Sequence, residues 1–294
     1  MRQFRAAAMT QTFNSGIEVP ATLGKLPPFP LVALQALKAL SSESNSAHGI
    51  EKLIAADVVF ASSTLHCANS ALFHLPQRVL TLRHAIVVLG RERLRCIILT
   101  VALQSFARAP LGSKMFRQWW RHSLATAILS EALAKASDWD TSGAYMGGLL
   151  HDIGRLGLIV QFPRERWKQF VAMAEAPTRA GMGILEIERE ILGMDHAALG
   201  AAMLREWGIP QELIVAARHH HEPEVAARHA PAMFVAAACE MASRLGFVAL
   251  KYPRRTTMEE LISCLPEETA ALLASDEEKL REAVETKIQS LAAG

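Results

Sequence analysis

Aromatic residues are scarce, 6% of the chain with only two tyrosines, and long β-branched runs are missing. An Ala- and Leu-rich background therefore outweighs the strand formers, and the expected fold class is all-α. A charge bias is missing too. Against 31 Lys and Arg stand 29 Asp and Glu, a net +2, too even to draw the chain as a whole to nucleic acid or anionic membrane. No uninterrupted apolar run reaches the length of a membrane span. The opening Met1-Arg2-Gln3-Phe4-Arg5 leads into too short an apolar piece for a secretory signal. CxxC spacing is absent: Cys67, Cys96, Cys239 and Cys264 are scattered, as expected of free thiols in a reduced compartment. These absences predict a cytoplasmic protein with no membrane contact and with nucleic acid an unfavoured partner.

What is present is helical periodicity, over 294 residues that suffice for one large or two ordinary domains. Residues 1–24 lack periodicity and read as a flexible leader. Leu26-Pro27-Pro28-Phe29-Pro30 stiffens the entry to a first helix bearing Val32, Leu34, Leu37 and Leu40. Helices follow near 49–57 and 58–69. Another runs to Gly90, a residue suited to a left-handed cap, and a strongly apolar one covers 94–106. Pro110-Leu111-Gly112 breaks the chain, predicting an N-terminal bundle over 25–110 and a second helical part over 111–246. There, helices are expected at 116–136 and 142–151, with Gly154 ending the latter, then at 186–192, at 196–207 with Asp195 as N-cap, from 211, and at 231–245. Residues 247–294 read as a helical extension.

The chemistry centres on Gly148-Leu149-Leu150-His151-Asp152-Ile153-Gly154, with His122 upstream and His196, His220 and His221 downstream. An adjacent His-Asp pair at a helix end offers imidazole nitrogen and carboxylate oxygen at one point, a mixture that divalent ions accept. The plainer reading is a buried hydrogen-bonded pair. Alone, His122 reads as a packed or surface histidine, and Asp195-His196 as a helix cap and its neighbour. In His219-His220-His221 successive side chains diverge by about 100°, so not all three can face one ion; His220 and His221 are favoured, with His219 outside. Trp119 and Trp120 read as core. Lys251-Tyr252-Pro253-Arg254-Arg255 reads as a solvated loop, and His66, His74 and His84 lack partners at ligand spacing. Arg155 is expected to be an exposed cation, a candidate for contacting phosphate.

The ordered set Leu26 to Pro30, Ala68-Asn69-Ser70-Ala71, Leu82-Arg83-His84-Ala85-Ile86-Val87-Val88-Leu89-Gly90, Leu149 to Gly154, Asp195 to Gly200 and His220-His221-Glu222-Pro223 resembles the HDOD family, a helical module related to the HD and HD-GYP phosphohydrolases. The resemblance spans residues 25 to about 246. It implies a multi-helix HD-like bundle and a bacterial signalling role through an unidentified protein partner, with a metal or a nucleotide bound as a structural or sensory ligand. The alternative is a metal-dependent phosphohydrolase acting on a nucleotide or cyclic dinucleotide, with Asp152 catalytic. His122, His151, Asp152, His196, His220 and His221 are similar in order to the HD-GYP metal ligands, implying iron, manganese or zinc as the divalent ion. Two departures count against catalysis. The Gly-Tyr-Pro stretch after the paired histidines is absent, and the final metal aspartate is replaced near its position by Cys239 or Glu240. A lost carboxylate removes charge that would offset a second ion, and a cysteine softens the site toward zinc.

Overall fold

The computed structural model describes residues 28–42, 44–73, 75, 77–108, 113–176, 182–250, 257–263, 265–267, 269 and 276–290, and every regular element among them is an α-helix. In chain order they are α1 (Leu31–Leu40), α2 (Ala47–Ala55), α3 (Val58–Ala68), α4 (Leu82–Arg108), α5 (Ser113–Ala136), α6 (Thr141–Leu150), α7 (Gly154–Gln161), α8 (Arg164–Ala174), α9 (Ile184–Leu192), α10 (His196–Glu206), α11 (Gln211–His219), α12 (Pro223–Ala226), α13 (Ala232–Arg244), α14 (Met258–Ser263) and α15 (Glu277–Ser290). The leader, Leu26 and Pro27, His74, the Pro110-Leu111-Gly112 break, the 251–255 basic stretch and Cys264 lie outside the described residues. No helix searched among the described residues is long and apolar enough to cross a membrane.

Local chemistry sets the helix ends. Asp57 caps α3 by accepting from the Phe60 N–H at 2.9 Å. The Asn69 side chain then exchanges two 2.8 Å hydrogen bonds with the Val79 backbone, closing the α3–α4 connection. Gly90, at φ 73°, bends α4 as its residue type predicts. Just beyond the bend, Arg91 donates to the carbonyls of Leu40, Ser42 and Asn45, satisfying acceptors at the end of α1. Buried Phe29 stacks on Trp207 and tilts against Phe106, so the Pro-flanked entry is fastened to α4 and to the end of α10.

The centre of the molecule is α6, whose residues 142–150 are all buried between α5, α11, α13 and α4. Small residues permit this: a Cβ on Gly148 would lie 2.7 Å from the Ala127 backbone of α5. Thr100 and Tyr145 pair their hydroxyls at 2.9 Å inside this core, as a buried phenol requires. Burial pushes the Cys67 thiol up, and that of Cys96 up to about 12, so both behave as inert apolar groups. At the C-terminal end α15 lays buried Val284 and Ile288 onto the core, and Glu285 meets Arg121 of α5.

One expectation is corrected. Gly154 does not close the helix before it: α6 ends at Leu150, residues 151–153 form a turn, and Gly154 opens α7. Its lack of a side chain serves close packing instead, because a Cβ there would lie 1.9 Å from the His196 carbonyl oxygen and 2.6 Å from the Gly200 nitrogen.

Candidate metal centre

Five segments deliver donors to one buried place. His122 comes from the middle of α5, and His151 and Asp152 from the turn after α6. His196 stands at the first position of α10, His220 and His221 lie at the end of α11, and Cys239 sits on α13. The packing of α5 against α6 and α13 brings His122, the 151–152 turn and Cys239 together, the Gly154–His196 approach adds α10, and α11 packs against α10, α6 and α13. His122, His151, Asp152, His196, His220 and Cys239 are all buried, none more than 4% exposed.

The donors fall into two groups. Asp152, His196, His220 and His221 form one, and His122, His151 and Cys239 the other; within each, the ligand atoms lie within 4.8 Å of one another. Asp152 stands between them. Its Oδ1 lies 3.1 Å from His196 Nε2 and 3.6 Å from His220 Nε2. Its Oδ2 lies 3.8 Å from the Nε2 atoms of both His122 and His151.

Hydrogen bonds at the far ring nitrogens fix the tautomers. Nδ1 of His122, His151 and His220 faces the carbonyls of Phe247, Gly148 and Ala217 at 2.7, 2.7 and 2.9 Å. A carbonyl only accepts, so each Nδ1 carries the proton and each Nε2 turns its lone pair inward. Glu188 does the same for His196, meeting Nδ1 at 2.6 Å and accepting from its backbone N–H at 2.8 Å. The outcome is two pairs of Nε2 atoms facing each other, His122 with His151 at 3.2 Å and His196 with His220 at 3.3 Å. Neutral imidazoles so arranged, as His122 and His151 are, oppose lone pair to lone pair, and a cation between donors relieves this. Orientation of the far nitrogen by carbonyls and carboxylate is the arrangement metal-ligating histidines use. The residues fit a divalent ion.

The field favours a cation as well. His151 and His220 both follow a helix C-terminus, where the backbone presents partial negative charge. Burial first, then repulsion from neighbouring histidines, holds His151 and His221 well below the ordinary imidazole value against the opposing pull of Asp152; burial also lowers His220. Burial and Arg155 push His196 down, but Glu188 and Asp152 outweigh them and raise it. For Asp152, burial acts against the charge and is overcome by Arg155, His151 and His196, which hold the carboxyl well below its usual range.

Two predictions about individual residues resolve differently. Of the pair left open, Cys239 faces the site, its Sγ 3.6 Å from His122 Nε2, whereas the Glu240 carboxylate reaches Arg244 at 3.2 Å. Arg155 is not the exposed cation expected after a helix end: it is 5% exposed. Because α7 continues inward from the turn, its Nε donates to Asp152 Oδ2 at 2.8 Å and its Nη1 to Glu188 at 3.1 Å. His219 stays outside the group and meets Glu222 at 3.0 Å. Trp119 is core, donating to the Asp152 carbonyl at 3.2 Å.

Glu188 is the residue that the sequence reading missed. Fully buried, it anchors both His196 and Arg155. Its signal was a carboxylate four residues after Ile184 and four before Leu192, inside the apolar stripe of α9.

Comparison with known proteins agrees with this architecture. An uncharacterized protein of Treponema pallidum is 23% identical over 238 residues, 80% of this chain and 45% of that protein, so the chain spans about half the length of that curated relative. Among solved structures, an HDOD domain protein of unknown function from Geobacter sulfurreducens superposes with a TM-score of 0.71 at 21% identity, over 88% of this chain and 92% of the other. A candidate phosphohydrolase from Shewanella amazonensis gives 0.68 at 23%, over 92% and 97%. At these identities the structural likenesses show a shared fold. The HDOD domain profile itself matches residues 26–223, through α11 and the paired histidines, and the chain belongs to the HDOD domain family.

Proposed function

We propose that this chain is a cytoplasmic signalling module that acts through contacts with a partner protein, and that its buried donors hold one divalent cation, iron, manganese or zinc, as a structural or sensory centre. The observation that carries this reading is Arg155. Its guanidinium occupies Asp152 Oδ2, the oxygen that faces His122 and His151. A carboxylate bridges two ions most simply with one oxygen on each, and a cation already held on one of them repels a second metal. The group best placed for the single ion is Asp152, His196, His220 and His221, where Oδ1 is turned away from Arg155. When bound, such an ion would supply positive charge and a rigid tie between α6, α10 and α11.

A second reading, a metal-dependent phosphohydrolase acting on a nucleotide or cyclic dinucleotide, is favoured by the position of Asp152 between two donor groups. In that reading Asp152 is the catalytic carboxylate. Arg155 has to leave Asp152 and Glu188 before it can meet a phosphate, breaking buried ion pairs at substantial cost.

Elemental analysis of the purified chain and of the His151→Ala, Asp152→Ala double variant tests both. The expected result is about one ion per chain, lost in the variant, with no hydrolysis of nucleoside phosphates or cyclic dinucleotides by either protein. Hydrolysis that disappears in the variant would establish the enzyme reading. Absence of metal after incubation with excess ions would overturn the metal centre and leave the partner-binding role.

A further inference from the structure

Outside the donor cluster two cavities share a wall. The larger, about 500 Å³, has Leu37, Lys38, Leu99, Leu150 and Trp207 on its walls. The smaller, about 310 Å³, has Trp139, Asp140, Glu212 and Phe234. Arg95, Met146, Pro210 and Leu213 line both. The volumes fall in the range of small-molecule sites, and walls that are mostly apolar with a few convergent polar groups have the composition of such sites.

Arg95 is the informative residue. Its side chain is 18% exposed, and Nη1 meets Glu92 at 3.1 Å, a pair whose carboxylate side is largely in water and therefore weak. Its Nε is sequestered from solvent and has no hydrogen-bond partner among the described residues. A buried donor of a charged group left without an acceptor is costly, and the exposed part of the same side chain borders both cavities, where an anion can offset its charge.

We propose that the larger cavity binds a small amphipathic anion, its carboxylate or phosphate head on the Arg95 guanidinium and its apolar body along Leu37, Leu99, Leu150 and Trp207. Charge sets the direction. Arg95 is common to both cavities, but the larger adds Lys38 whereas the smaller adds the carboxylates of Asp140 and Glu212. The occupant touches Leu150, which directly precedes His151, and Leu213 on α11, the helix that leads to His220. The site does not depend on whether the donor cluster holds a metal.

Calorimetric titration of the full chain with decanoate, decyl phosphate and 1-decanol, below their aggregation limits, tests this, with Trp207 fluorescence as a second readout. Expected is saturable one-to-one binding of the two anions at least tenfold tighter than of decanol. Arg95→Gln should remove that preference and leave decanol binding and metal content unchanged. Arg95→Lys, which keeps the charge and the fold, should retain part of it, and the carboxylate-to-phosphate ratio identifies the favoured head. No saturable binding by any probe, equal binding of decanoate and decanol, or undiminished anion binding by Arg95→Gln would each overturn the proposal.

Discussion

Gly154 meets the carbonyl of His196 so closely that a Cβ on Gly154 would sit 1.9 Å from that oxygen. This contact seats the start of α7 on the start of α10, and it holds Asp152 Oδ1 within 3.1 Å of His196 Nε2. Gly154→Ala cannot be absorbed by a side-chain rotation, because the opposing atoms are backbone. The expected outcome is destabilisation by about 3 kcal/mol or more together with loss of bound metal, measured by denaturant unfolding and elemental analysis. A variant with wild-type stability would contradict the contact.

Glu188 holds the His196 ring and shares Arg155 with Asp152. Glu188→Gln keeps the shape but removes the charge that orients the imidazole. Metal affinity should fall about 10- to 100-fold in competition with a chromophoric chelator, with a lowered unfolding temperature. Unchanged affinity would place the ion away from His196.

Cys239 belongs to the donor group that Arg155 disfavours, on the far side of Asp152. Cys239→Ser should therefore leave the ion count unchanged, whereas His220→Ala should abolish it. The reverse pattern would move the ion to His122 and His151.

Asp195 caps α10, accepting from the Ala198 N–H and from Arg189 Nε, both at 2.7 Å. Burial opposes its charge, but these hydrogen bonds outweigh it and lower its pKa. A folded pKa below the unfolded value near 3.9 means that the charge contributes stability above that value and loses it as pH falls through the folded pKa. Asp195→Ala should cost about 1 kcal/mol at neutral pH, and its deficit should shrink below about pH 4. A deficit independent of pH would assign the effect to packing alone.

Val284 and Ile288 anchor α15, with Arg121 and Glu285 beside them. Replacing both apolar residues by Ala should release the helix locally, so amide exchange across residues 277–290 accelerates by at least about tenfold while metal content is retained. Uniform acceleration over the whole chain would show that α15 is part of the global folding unit.

Much of the helical order was legible because periodicity and caps are local. Asp195 and Gly90 act where their residue types predict. Gly154 misled because a glycine after a helix has two uses, a left-handed cap or a close approach, and only the neighbour at His196 distinguishes them. Arg155 misled for a related reason: a cation after a helix end is usually solvated, but here the chain turns back into the core beside two buried carboxylates.

By itself the sequence determined an all-helical chain, the order of the donors and membership in the HDOD family, since these rest on composition, spacing and motif order. Tertiary structure alone decided that Cys239 rather than Glu240 turns to the site, that Glu188 orients His196, and that Arg155 claims one oxygen of Asp152. The reason is physical. Helical spacing says which residues share a face, but the partner of a buried charge is set by which other helices pack against that face, and segments far apart in the chain meet only in the folded core.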